Sequence, residues 1–196
     1  MSGWTFMSAF NDDPRANKPD DDPLADEVSC RILDHEVGGL ILAITENSLK
    51  MIRIRPNSSA QIQSAGTILV FDDSSIINNV LGTILYRNLS SRAQGSLAEV
   101  INSIIIDNPE PYLSFYNRAG NLSLKMHAFA LLPGIGNKKA LEMVELRGRD
   151  GWEEFDKLNG DCGIDGAKIL ADRLAKEIAD HHLEPRLVEL LLRQEE

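Results

Sequence analysis

Cysteine is nearly missing from this chain: Cys30 and Cys162 are the only two in 196 residues. They form no Cys-x-x-Cys pair and allow at most one bridge, which excludes a disulfide framework and argues against a cysteine metal site. Both are expected as small residues in or near a core. Long hydrophobic runs are missing too. Gly38–Ile44 and Ile101–Ile106 fall far short of the roughly 20 apolar residues that span a bilayer, and neither has a signal-peptide layout. The expectation is a soluble, cytoplasmic protein without a membrane partner. Aromatic residues are scarce in the strand-like segments, which weakens any base-stacking surface for single strands. No Walker loop, nucleophile elbow or zinc-protease helix occurs. The histidines are scattered at His35, His127 and the adjacent pair His181-His182, and neighbours in sequence point to different sides of a helix. No metal and no cofactor are therefore expected.

Positive charge is the remaining deficit. The formal net charge of −10 argues against a sequence-blind nucleic-acid clamp, which draws its energy from lysine and arginine neutralising phosphates. The distribution matters more than the sum. Residues 1–27 hold seven acids and two bases, 28–122 hold eight and seven, and 123–196 hold fifteen and eleven. Half of the deficit therefore sits in the N-terminal tail, and any phosphate binding must be local to a small patch. The tail, with Asp12-Asp13-Pro14 and Asp20-Asp21-Asp22-Pro23, is polar and proline-broken, and is expected to be disordered or loosely draped. Trp4, Phe6 and Phe10 give it a docking tendency.

What is present falls into two parts. Over residues 28–89, short apolar runs alternate with turn residues: Val28–Leu33, Gly39–Thr45, Lys50–Arg55, Thr67–Phe71 and Thr83–Tyr86. Glu46-Asn47-Ser48, Pro56-Asn57-Ser58-Ser59 and Asp72-Asp73-Ser74-Ser75 supply the turn chemistry between them. Five short strands predict a small OB-like β-barrel, a common platform for oligonucleotides. Strand alternation puts Arg53 and Arg55 on one face with Met51, and Ile52 and Ile54 on the other. The arginines line a ligand groove or simply solvate the outer face.

Residues 90–196 read as helical. Ser90-Ser91 look like a cap for a helix with the stripe Leu97, Val100, Ile101, Ile104 and Ile105. Pro109 opens a second helix carrying Tyr112, Leu113, Phe115 and Tyr116, at core spacing. The densest signal follows at about 123–147, where an apolar helix bearing Leu124, Met126, Phe129 and Leu131 runs into Leu132-Pro133-Gly134-Ile135-Gly136-Asn137-Lys138-Lys139-Ala140. This is the sequence form of a helix-hairpin-helix, with Leu141, Val144 and Leu146 on its second helix. Its glycines leave backbone amides open at a helix start, where the dipole favours an anion. Lys138 and Lys139 add charge beside it, Ile135 pins the turn to the core, and Ala140 permits close helix crossing. The same residues also serve a tight turn that binds nothing.

A worn second copy spans about 152–180: Trp152–Leu158, then Cys162-Gly163-Ile164-Asp165-Gly166, then a long helix through Ile169, Leu170, Leu174 and Ile178. Gly163 follows Gly134 by 163 − 134 = 29 residues. An aspartate at position 165 repels phosphate, so this copy is expected to be a packing brace. Leu187, Val188, Leu190, Leu191 and Leu192 predict a terminal amphipathic helix that packs back or meets a partner.

Asn108-Pro109-Glu110-Pro111-Tyr112, Phe115–Ala119, Leu124–His127 and Leu131–Lys138, with the earlier Asp12-Asp13-Pro14-Arg15-Ala16, resemble an archaeal family of unknown function. Its members are described as candidate RNA-binding proteins with an OB-like barrel followed by helix-hairpin-helix motifs. The resemblance implies a nucleic-acid role near translation or RNA processing. DNA glycosylases that use this hairpin place a catalytic lysine or aspartate at and beyond it, and many carry a four-cysteine iron–sulphur cluster, which two cysteines exclude.

The expectation is an α+β multidomain, noncatalytic protein that grips backbone phosphate, RNA before DNA. The site comprises Gly134, Ile135, Gly136, Asn137, Lys138 and Lys139, with Arg53 and Arg55 as a second contact. The protein would then work in or near a ribonucleoprotein. Two competitors are a protein-interaction scaffold binding a basic partner and a DNA repair or replication accessory factor.

Overall fold

The computed structural model describes residues 23–36 and 38–192. Residues 1–22, with Trp4, Phe6, Phe10 and the aspartate runs of the tail, lie outside that range. Three central strands set the architecture: β1 (Ser29–His35), β2 (Ile41–Thr45) and β3 (Met51–Pro56). Alternation sends their side chains to two faces, and both faces are apolar. Cys30, Ile32, Ile41, Ala43, Ile52 and Ile54 meet Leu69 and Ile77 in one core. Leu33, Leu42, Ile44 and Met51 join the helices in another. Burial on two sides is why these segments read as apolar runs. β4 (Ile68–Val70) and β5 (Ile77–Thr83) complete a five-stranded antiparallel sheet of order β4-β1-β2-β3-β5. Irregular register in β1 beside Ile32 and in β3 beside Arg53 lets the sheet bend. The result is a curled half-barrel with β4 and β5 as its two edges. The fifth strand lies earlier than the expected Thr83–Tyr86, because Asn78 and Asn79 on an exposed edge hide the alternation, while Tyr86–Asn88 makes a 3-10 turn.

α1 (Ser91–Asp107) starts where Ser90 Oγ accepts from the Ala93 amide at 3.1 Å, and its expected stripe is buried throughout. The stripe packs on the sheet, so one core runs through the proposed boundary at residues 89 and 90. Arg31, 4% exposed, fastens the two: its guanidinium donates to Glu46 and Asp107 at 2.7 Å each and to Ser103 at 3.1 Å. The residues just before β1 are tied down as well, with Lys50 donating to the Pro23 carbonyl and the buried Glu27 accepting from the Ser48 amide.

α2 (Pro109–Arg118) buries Tyr112, Leu113, Phe115 and Tyr116 as its spacing predicts. The helix expected next is not one. A two-stranded hairpin, β6 (Asn121–Ser123) and β7 (Met126–His127), leads into a 3-10 turn over Ala128–Leu131. Leu124 is fully exposed at the tip. Within this segment His127 Nδ1 accepts from the Phe129 amide, and Arg147 fastens the end of the preceding α2 by donating to the carbonyls of Tyr116 and Ala119.

α3 (Asn137–Arg147), α4 (Phe155–Cys162) and α5 (Gly166–Ala179) follow, α5 packing along α1. The short α6 (Leu187–Leu192) packs back on α5 and α2. Its anchor is Glu177, wholly buried, which accepts from Arg173 at 2.6 Å and from the Val188 amide at 3.0 Å. Among the described residues no helix is long and apolar enough to cross a membrane.

Candidate functional site

The Leu132–Asn137 turn is shaped by one strained residue and one unencumbered one. Gly134 has φ +79, a conformation costly for any side chain, and Ile135 behind it is buried and closes the turn onto the Leu132 carbonyl. Gly136 is the N-cap of α3 with φ −87, which any residue adopts, and a Cβ there would meet nothing within 4 Å. Neither conformation nor packing among the described residues requires glycine at 136. What its missing side chain does is leave the first amides of α3, at Asn137, Lys138 and Lys139, without a side-chain cap. No acidic residue stands in that first turn. Lys138 is exposed and makes no ion pair among the described residues, whereas Lys139 leans back on Glu142 at 3.0 Å. The start of an 11-residue helix, without a side-chain cap and beside the Lys138 ammonium, carries local positive potential.

Met143 and Ala140 carry the packing of α3, while Leu141 and Leu146 are 60% and 43% exposed. The sequence reading placed Ala140, Leu141, Val144 and Leu146 on this helix without Met143, but 140, 143 and 144 share the stripe that packs. The second copy is better formed than its sequence promises. Here two true helices, α4 and α5, flank Gly163, which is left-handed at φ +64 like Gly134. With the same spacing of 29, Lys168 matches Lys139 and Asp165 matches Gly136. Asp165 is the N-cap of α5, its Oδ1 accepting from the Lys168 amide at 3.1 Å. One turn thus fills its own amides with a carboxylate, and the other leaves them open. The sequence signal was present in Asp165, a common N-cap residue, read only as a repeller.

Arg53 and Arg55 do face away from Ile52 and Ile54, as alternation requires. No hydrogen bond or ion pair joins either arginine to the Gly134 turn. Arg55 is exposed. Arg53 is half-buried in a cavity of about 430 Å³ shared with Glu36, Asn88 and Ser90, and its Nε has no partner among the described residues.

Three further groups lack the setting of a reactive one. Burial pushes the Cys30 thiol up to about 12 and raises that of Cys162. His127 is 6% exposed and titrates below the usual range, first because of burial and then because of the Arg147 charge. Since its Nδ1 accepts from Phe129, its Nε2 carries the proton and donates to the Ala119 carbonyl at 3.1 Å.

The whole chain can be compared with known proteins on this basis. A crystal structure of Af1531 from Archaeoglobus fulgidus has a TM-score of 0.73 at 21% identity, covering 83% of this chain and 99% of that one. At that identity the likeness speaks for the fold. An uncharacterised protein of Methanocaldococcus jannaschii, MJ0038, is 26% identical over 104 residues, or 53% of this chain and 48% of that protein. The match thus spans about half the length of that relative. Residues 28–186, from the first strand to the segment before α6, match the family model described as protein of unknown function, DUF655. The chain belongs to the DUF655 family.

Proposed function

We propose that this protein is a noncatalytic nucleic-acid-binding protein that holds one backbone phosphate on the uncapped amides of α3. The observation that carries the reading is Gly136: the fold does not need it, and its bare backbone keeps the helix start open between Gly134 and Lys138. In this reading Ile135 sets the turn, Asn137 and Lys138 donate main-chain and side-chain protons, and Lys139 lends charge when it leaves Glu142. The turn is then one arm of a helix-hairpin-helix whose first helix has shrunk to the 3-10 turn over Ala128–Leu131. The half-barrel is read as a partly open OB-like sheet, and Arg53 and Arg55 as a second, separate contact. A phosphate grip positions a strand without reading bases. RNA is the first candidate ligand, in translation or RNA processing, and duplex DNA the alternative.

The test is fluorescence binding of structured RNA, single-stranded RNA and duplex DNA across a salt series, beside Lys138→Glu/Lys139→Glu. Loss of binding in the variant supports the phosphate site, and the preferred ligand separates RNA from DNA. Undiminished binding by the variant, or no binding at low salt, overturns it.

A further inference from the structure

A concavity of about 770 Å³ lies away from the α3 turn, between α2 and the start of α4. Its apolar floor includes Ile106, 59% exposed at the end of α1, and the half-buried Phe155. Five carboxylates edge it, Glu110, Glu153, Glu154, Asp156 and Asp165, against one guanidinium, Arg118. Asp165 is engaged as the cap of α5, but the other four make no ion pair among the described residues. Glu110 and Asp156 sit in the first turns of α2 and α4, where an acid is favourable for the helix alone. Counting about half a positive charge for each of the three helix starts still leaves the edge negative by roughly 2.5 charges. Glu153 and Glu154 supply that excess, and both are exposed. Phosphate is repelled from such an edge, whereas lysine and arginine are attracted and exposed apolar floor is covered by apolar side chains.

We infer that this groove docks a segment of a partner protein carrying apolar anchors flanked by lysine or arginine. None of the groove's lining residues belongs to the Leu132–Lys139 turn. A nucleic acid on α3 and a basic protein in the groove would not compete for the same ground.

The probe is a fluorescent amphipathic peptide of alternating leucine and lysine pairs, measured by anisotropy at physiological salt, beside a lysine–serine peptide of equal charge. Glu110→Gln/Glu153→Gln is expected to weaken the amphipathic peptide about tenfold, and Ile106→Asn about fivefold. Glu99→Gln/Glu145→Gln, which removes two exposed acids elsewhere, is expected to leave it within about twofold. Because Ile106, Glu110 and Glu153 are all exposed, none of these changes threatens folding, and thermal unfolding checks that. Equal weakening by both double variants, or equal binding of the serine peptide, shows bulk attraction to an acidic protein and overturns the inference. So does failure of the amphipathic peptide to bind. A dimer in sedimentation that Ile106→Asn breaks makes a second copy the occupant and overturns it as well. None of these readings depends on whether RNA binds α3.

Discussion

At the scale of single residues, the two glycines of the α3 turn separate stability from binding. Gly134 at φ +79 is needed by the backbone, so Gly134→Ala should cost about 1–2 kcal/mol in chemical denaturation. Gly136→Ser should behave in the opposite way. Serine is at least as good an N-cap as glycine, so the melting temperature should hold or rise slightly, while its hydroxyl occupies the amides and nucleic-acid binding falls. A variant that binds as well as the parent would detach the amides from function. His127 makes a third point at this scale. Its folded pKa is lowered, so the unfolded chain binds its proton more readily, and the stability it contributes is present above the unfolded value of about 6.5 and is lost as pH falls through it. Stability measured from pH 8 to 5 should therefore decline more steeply in the parent than in His127→Gln.

Whole elements depend on a few buried polar ties. Glu177 is fully buried and holds both Arg173 and the first turn of α6. Glu177→Leu strands a guanidinium that is 8% exposed, and the expected loss is about 3–5 kcal/mol with early release of α6, visible as rapid amide exchange at Val188. Elements were also where the sequence was most and least legible. α1 and α2 could be read residue by residue, because a cap or an N-terminal proline is followed by an unbroken stripe. The first four strands were legible from their turns. β5 was misplaced since its Asn78-Asn79 edge carries no apolar rhythm, and the helix before Gly134 was misread because Leu124, Met126, Phe129 and Leu131 have helical spacing. Nothing local reveals that this segment pairs instead as the β6–β7 hairpin, with the Phe129 amide taken by His127 Nδ1. The α3 turn was visible as a string, but its contrast with the Asp165 turn emerges only from cap geometry. The acidic groove was invisible, being assembled from α1, α2, α4 and α5.

For the molecule as a whole, charge sets the terms. With a net charge of −10 and, among the described helices of eight residues or more, one start that has neither a side-chain cap nor a first-turn acid, few phosphates can be engaged at once. The slope of log affinity against log salt should then be shallow, about −1 to −2, where a protein neutralising many phosphates shows a steep one. A slope near −5 would mean that a larger basic surface exists than the α3 turn and the half-barrel arginines provide.

The pairing of the Gly134 and Gly163 turns has a consequence for engineering. Each turn is a worked example of the other's alternative state, since Asp165 rests on the Lys168 amide where the proposed phosphate would rest on that of Lys139. Exchanging one residue in each direction, Gly136→Asp with Asp165→Gly, would move the vacancy from α3 to α5 while leaving the inventory of charges in the chain unaltered.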